Sequence, residues 1–250
     1  MLQKSLLSCL GILSFFVVPM VHAAEALSSD TALEQLITGN KRFCTAQTIH
    51  PNQDAVRRKV TNSGGQHPFT TVISCSDSRV VPEILFDQGI GDVFVVRVAG
   101  NVCDSDEIGS IEYGVEHLKT PLLVVLGHSN CGAVTAVVTG GQVHGSIPGL
   151  VDNIVPAAKR ASERNPKLHG KELVPIAIRE NVWVSIEDLL RRSPMTCELV
   201  QEGSLQIVGA MYDIETGEVE WMGKHPNQAQ LLKNTAEHES SEHESKPKHE

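Results

Sequence analysis

Phe69-Thr70-Thr71-Val72-Ile73-Ser74-Cys75-Ser76-Asp77-Ser78-Arg79 decides how this chain is read. Its opening residues are β-branched or apolar and predict a strand that ends at Cys75. A second run, Val93-Phe94-Val95-Val96-Arg97-Val98, is almost continuously apolar, as parallel strands buried on both faces are. A third, Leu122 to Leu126, is broken by Gly127 just before His128-Ser129-Asn130-Cys131-Gly132. Two polar pieces, each rich in reactive side chains, therefore follow two buried strands.

The segments between the strands read as helices. Leu33, Leu36 and Ile37 share one face of a helix from Ser28 to about Gln47, with Ser29 or Asp30 as its cap. His50 to Gly65 is polar and predicts a solvated helix or loop, and Arg57, Arg58 and Lys59 are weak evidence for an anion site. Val81 to Asp87 predicts a helical turn with Pro82 near its start. Ser105 or Asp106 caps a helix to about Lys119 that turns Ile108, Ile111, Val115 and Leu118 inward. Another helix starts near Cys131. Longer ones span about Pro148 to Arg164 and Gly170 to Arg192, the latter with a break or late start at Pro175. Leu205 to Met211 is a fourth strand, and Glu215-Thr216-Gly217 turns into a fifth, Glu218 to Met222, read as an antiparallel edge. The fold class is α/β: a mostly parallel central sheet of about four strands plus that edge strand, flanked by helices. Ligands of such sheets gather beyond the carboxyl ends of the strands, where Cys75, His128 and Cys131 fall.

The ends read differently. Lys4, the apolar run Leu6 to Val18 and Val21-His22-Ala23 have the pattern of a cleaved secretory signal peptide over 1–23, with export to a periplasm as the expected destination. The run is short for a membrane span, so no stable anchor is expected after cleavage. The domain then covers 24–232. The 233–250 tail, rich in His, Glu, Ser and Lys without large apolar residues, predicts disorder. The chain has 250 residues, 41% hydrophobic, with a formal charge of −9. That is enough to bury one substantial core. Most of the negative charge lies in the body rather than the tail, which argues against a nucleic-acid partner. Cys9 leaves with the signal peptide. Cys44, Cys103 and Cys197 read as buried free thiols, with a disulfide among them as the alternative.

Zinc binds thiolate, imidazole and carboxylate ligands in a tetrahedron. Cys75, His128 and Cys131 supply three, and the three-residue step from His128 to Cys131 lets one turn present both. Asp77 is placed either as a fourth ligand or beside whatever occupies that position. Arg79 can hold Asp77 through a charge-assisted fork. The competing reading is a pair of buried thiols, a core histidine and a surface ion pair, brought together by nothing in particular.

Cys75-Ser-Asp-Ser-Arg79 together with Gly127-His-Ser-Asn-Cys131-Gly-Ala resembles the paired signature of β-class carbonic anhydrases. Gly91 to Asn101, Gly39-Asn40-Lys41-Arg42-Phe43 and Val208 to Asp213 match that family as well, so the resemblance runs in collinear order from about Leu33 to Val219. It implies Zn2+ held by Cys75, His128 and Cys131, and reversible hydration of carbon dioxide to bicarbonate and a proton by zinc-bound hydroxide. Two thiolates and a neutral imidazole cancel the charge of the ion, so the water is expected to be less acidic than at a three-histidine site. Asp77 then has a task, accepting a hydrogen bond from the nucleophile and aiming it. If Arg79 releases Asp77, the carboxylate can swing onto zinc as a ligand in a closed state. Regulated members carry a tryptophan three positions before the first cysteine. Here that position is Val72, which favours the open form with Asp77 paired to Arg79. Gly132 and Gln88 are candidate substrate contacts, the former through its N–H, the latter across a subunit boundary. His117 and His144 are proton-shuttle candidates by position only. The resemblance also implies a homodimer or homotetramer, with the amino-terminal helix wrapped over a partner.

Two rivals remain at this stage. The same scaffold could hydrolyse carbon disulfide or carbonyl sulfide. A non-catalytic zinc-binding or thiol-redox protein is the other class, and for that Asp77 and Arg79 would be superfluous.

Overall fold

The computed structural model describes residues 27–233. The signal-peptide segment 1–23 and the tail beyond Lys233 lie outside the described residues. The strands are β1 (Thr70–Ser74), β2 (Val93–Arg97), β3 (Leu122–His128), β4 (Gln206–Tyr212) and β5 (Val219–Gly223). The helices are α1 (Ser29–Cys44), α2 (Ala55–Gly64), α3 (Pro82–Leu85), α4 (Ser105–Glu112), α5 (Gly132–Thr139), α6 (Ile147–Val151), α7 (Val155–Arg164), α8 (Val174–Arg192) and α9 (Pro194–Gln201).

The strands form one sheet in the order β2-β1-β3-β4-β5. The first four are parallel, and β5 pairs antiparallel with β4. Every residue of β1 and β3 is buried, because helices cover both faces of the sheet. Alternation along the strands assigns the faces. Val72, Leu122, Val124 and Leu126 pack with Ala32 and Leu36 of α1 and with Leu85 and Phe86. Ile73, Leu123 and Val125 pack with Ile108 and Ile111 of α4 and with Val182, Ile186, Leu189 and Leu190 of α8. Each such side chain, fully buried, contributes about 1.5–3 kcal/mol of transfer free energy.

The sheet order creates a particular spot. From β1 the chain moves outward to β2, then returns to place β3 on the other side of β1 and continues to β4. The carboxyl ends of β1 and β3 therefore flank the point where the winding reverses, the place where open α/β sheets form their crevice. The loops leaving these two strands carry Cys75 and His128.

Several local expectations needed correction. Ser28, rather than Ser29 or Asp30, caps α1 by accepting from Thr31 N. Asp104, rather than Ser105 or Asp106, caps α4 in a reciprocal capping box with Glu107. The expected helix over 148–164 is divided: a 3-10 turn at Asp152–Ile154 separates α6 from α7, where Pro156 cannot continue an i→i−4 ladder. Pro175 marks a late start of α8. Cys44 is exposed rather than buried, and all cysteines among the described residues are free thiols. Arg57 is no free anion site: its guanidinium donates to Ile90 O and pairs with Asp92. Helix α9 was not expected, although Ser193 caps it and Pro194 occupies its first turn.

An ion-pair network fastens α7 and the C-terminal segment to α8. Arg160 forks onto Glu187 with both contacts at 2.6 Å, and Arg164 pairs with Glu180 at 2.6 Å. His225 Nδ1 accepts from Asn227 N, so Nε2 carries the proton and donates to Glu187 Oε1. Burial pushes the Glu187 carboxyl up, but the hydrogen bonds from His225 and Arg160 together outweigh it and bring it from 4.5 to about 2. A carboxyl depressed in the folded state adds stability above its unfolded value and loses it as pH falls through the folded one. Because the Glu187 side chain is still 23% exposed, we expect only about 1–2 kcal/mol, lost between about pH 4.5 and 2. Urea unfolding of the wild type and Glu187→Gln across that range checks this. The stability gap between them should shrink steadily with acid, and a constant gap contradicts it.

Candidate metal centre

Cys75 is the first residue after β1, His128 the last of β3, and Cys131 the N-cap of α5. Their ligand atoms, two Sγ and one imidazole nitrogen, all lie within 4.8 Å of one another. Cys75 is 4% exposed, His128 0% and Cys131 1%. An apolar cluster that includes Val134, Ile154, Ala161, Ala177 and Ile178 encloses the two cysteines. The 128–131 loop is tied to the neighbouring strand. Ser129 N donates to Tyr212 O, and Ser129 Oγ accepts from Ile214 N. Asn130 takes a positive φ of 56° to complete the turn.

The donor set fits a zinc ion. His128 Nδ1 lies 2.9 Å from Ser129 O, so it carries the proton and donates. This leaves Nε2 as a bare lone pair, and that atom is buried with no hydrogen-bond partner. An orphaned buried acceptor is costly in a folded protein and calls for an explanation; a metal ion held with two thiolates supplies one. Each thiolate also has backbone donors. Gly100 N lies 3.2 Å from Cys75 Sγ, and the N–H groups of Ala133 and Val134 in the first turn of α5 face the Cys131 sulfur. The Cys131 thiol donates to Cys75, which holds Cys75 far below the usual thiol range, while the retained proton pushes Cys131 up.

Asp77 sits beside this cluster and is gripped by Arg79. Nε donates to Oδ1 at 2.9 Å and Nη2 to Oδ2 at 2.7 Å, while the Arg79 backbone N donates to Oδ1 at 3.0 Å. The Arg79 fork holds the Asp77 carboxyl well below the ordinary carboxylate range. Arg97, at the end of β2, holds the loop backbone itself: Nη2 donates to Asp77 O at 2.7 Å and Nε to Cys75 O at 3.3 Å. Sequence reasoning gave Arg97 no role. The one signal available was a charge interrupting an otherwise apolar strand.

The other candidates are less central. Gln88 is buried, and its amide donates to Phe86 O within the same chain. Gly132 opens α5, but a Cβ added there would meet nothing within 4 Å, so the protein's own packing does not require glycine. His117 stacks on Tyr113 at 4.6 Å. His117 and His144 are both exposed. A separate cleft of about 990 Å³ adjoins the 128–131 loop through Ser129 and Asn130 and is lined further by Cys44, Arg179, Tyr212 and Trp221. None of the three putting ligand atoms into the cluster lines it.

The family model described as carbonic anhydrase matches residues 70–219, from β1 into β5. This chain belongs to the β-carbonic anhydrase family. It is 39% identical over 191 residues to carbonic anhydrase 2 of Mycobacterium tuberculosis, covering 74% of this chain and 89% of that protein. The crystal structure of the β-carbonic anhydrase CafA of Aspergillus fumigatus superimposes with a TM-score of 0.65 at 26% identity, over 72% of this chain and 91% of that one. A chain from the crystal structures of two tetrameric β-carbonic anhydrases of Sordaria macrospora is also similar, with a TM-score of 0.60 at 26% identity over 76% of this chain and 96% of that one. The family match contains all three clustered residues as well as Asp77 and Arg79.

Proposed function

We propose that Cys75, His128 and Cys131 hold a zinc ion, and that this β-carbonic anhydrase uses it for the reversible hydration of carbon dioxide to bicarbonate and a proton. The buried Cys-His-Cys cluster, with its orphaned imidazole nitrogen, carries the reading. When bound, zinc supplies Lewis acidity that makes a water molecule nucleophilic near neutral pH.

The chain's own groups do the rest. Asp77 Oδ1 takes two donors from Arg79, whereas Oδ2 takes one. Oδ2 therefore keeps capacity to accept the proton-bearing edge of the reacting water and to orient its lone pair. Arg79 fixes the carboxylate and keeps it ionised. Arg97 fixes the peptide backbone on which both Cys75 and Asp77 ride. Gly132 N–H, at the start of α5, is the proposed donor to substrate oxygen; the helix N-terminus favours the negative charge that develops there. The neutral rivals fare worse: a metal store has no use for a carboxylate held this rigidly beside the cluster, and carbon disulfide or carbonyl sulfide hydrolysis has no feature in its favour.

Stopped-flow hydration of carbon dioxide by the purified chain tests the reading. Activity should appear with one zinc per chain, vanish on chelation and return with zinc. A zinc-loaded protein silent at alkaline pH overturns it.

Two further proposals concern its setting. The chain assembles as a homodimer or homotetramer: α2 buries none of its residues, and Ile49, Val56 and Val60 leave an apolar surface on and beside it. Light scattering of the purified protein should show no monomer. The 1–23 pattern supports export, and no helix among the described residues is long and apolar enough to cross a membrane. Amino-terminal sequencing of the mature protein should begin after Ala23.

A further inference from the structure

Behind the cluster lies a buried polar group on α8 that the proposed chemistry does not use. The chain leaves β2 through a tight turn in which Gly100 and Asn101 take successive positive φ values, 74° and 46°. Asparagine enters this left-handed conformation more readily than most residues. At Gly100 the positive φ disfavours a side chain, and an added Cβ would lie 2.7 Å from Ile154 Cδ1, the movable end of that side chain. The turn's two carbonyls are both taken by α8. Asn181 Nδ2 donates to Gly100 O at 2.6 Å, and the single Ser185 Oγ proton is shared between Asn101 O at 2.9 Å and Asn181 O at 2.8 Å. These two side chains are one helical turn apart, so they meet consecutive carbonyls from one face of α8. The same turn directs Gly100 N–H at Cys75 Sγ.

All of these groups are buried. Asn101 is 2% exposed, Asn181 1% and Ser185 2%. Asn101 Nδ2 and Asn181 Oδ1 have no hydrogen-bond partner among the described residues. Polar side chains with unpaired atoms inside a core cost stability that apolar residues of the same size would not.

We propose that Asn181, assisted by Ser185, is a positioning residue for the metal centre, holding the Gly100–Asn101 turn so that its N–H keeps its hydrogen bond to the Cys75 thiolate. This rests on the reading of Cys75 as a zinc ligand. A hydrogen bond to a ligating thiolate withdraws charge from the sulfur. With zinc held by Cys75, less charge would reach the metal, and its Lewis acidity toward water would be greater. The two α8 side chains thereby act on the reacting water without touching it.

The test uses the full chain, with cobalt(II) replacing zinc, as Asn181→Leu, Ser185→Ala and a control, Ile186→Ala. Ile186 is buried on the same helix and packs in the sheet core. Three readouts are taken: the thiolate-to-cobalt charge-transfer band, zinc affinity by chelator competition, and the pH midpoint of hydration. For Asn181→Leu we expect the band to move to lower energy, zinc affinity to fall about tenfold, and the pH midpoint to move upward. Ser185→Ala should show the same changes in smaller measure, and it serves alone if Asn181→Leu does not fold. Ile186→Ala should lose stability with all three readouts unmoved. If the α8 variants lose stability and leave the band and the affinity as in the control, Asn181 is a structural residue only. If the wild-type cobalt protein lacks a thiolate band altogether, it is the assignment of Cys75 to the metal that fails.

Discussion

Cys131→Ser should abolish zinc binding and lower carbon dioxide hydration by at least about 10³-fold, the scale on which loss of a metal-activated nucleophile is felt. Cys131 is the N-cap of α5 and is 1% exposed. Serine fits that space, and its alcohol is not ionised near neutral pH, so the first turn of α5 would face a neutral oxygen instead of a thiolate. The remaining pair, Cys75 and His128, offers the ion two ligands where zinc sites require at least three from protein. The fold should survive, because Val134, Ile154 and the rest of the enclosing cluster are untouched. Stability should nevertheless respond differently to metal. Ligand binding to the native state stabilises by mass action, about 4 kcal/mol at a thousandfold excess over the dissociation constant. Thermal unfolding of the wild type should therefore shift upward with zinc, and that of Cys131→Ser should not. Metal content by atomic absorption completes the measurement. A variant that keeps stoichiometric zinc would remove Cys131 from the ligand set.

The sheet was legible because its information is local. Strands buried on both faces must be apolar at successive positions, and Thr70–Ser74 and Leu122–His128 fall within or beside such runs; the equally apolar Val93–Arg97 is instead an edge strand and mostly half-buried, against the expectation. The clustering of Cys75, His128 and Cys131 followed from one inference, that loops leaving parallel strands meet on one side of the sheet. Helix ends were less legible where two candidates stood side by side. The Asp104–Glu107 capping box satisfies a pattern that spacing alone displays, yet Ser105 and Asp106 are equally good cap residues in isolation. What could not be read were contacts between distant residues. Asn181 meets Gly100 across 81 positions and Ser185 meets Asn101 across 84. In the sequence both are merely polar residues on a helix that otherwise reads as amphipathic. Likewise Arg97 is a surface-prone residue until the return of the chain brings it within reach of Asp77 O, 20 positions earlier.

Asp77→Asn should separate the chemistry from the metal. The substitution keeps the size of the side chain and removes its charge. Arg79 would lose its bidentate partner, because an amide offers one acceptor oxygen where the carboxylate offers two. If the amide oxygen faces Arg79, its NH₂ group occupies the position of Oδ2 and presents a donor where the reacting water needs an acceptor. We expect zinc content unchanged and hydration reduced about 10²-fold or more, the usual weight of a positioned proton acceptor. Arg79→Gln is the informative companion. It leaves Asp77 charged but free of the fork that now holds both carboxylate oxygens. The released carboxylate, two residues from Cys75, would be free to compete for the fourth position of a zinc ion held by Cys75, His128 and Cys131. Hydration should fall with zinc again retained, and added anions should inhibit this variant less than the wild type, because the position they seek is already contested. Val72 bears on which arrangement the native enzyme prefers. It is fully buried in the core between the sheet and α1, and it cannot supply the polar ring edge that a tryptophan would offer at that place. Nothing from position 72 therefore draws a ligand toward the loop to prise Asp77 from Arg79. A zinc-bound crystal structure at neutral pH should show Asp77 on Arg79, and one with the carboxylate on the metal would reverse the assignment of the open form as the resting state.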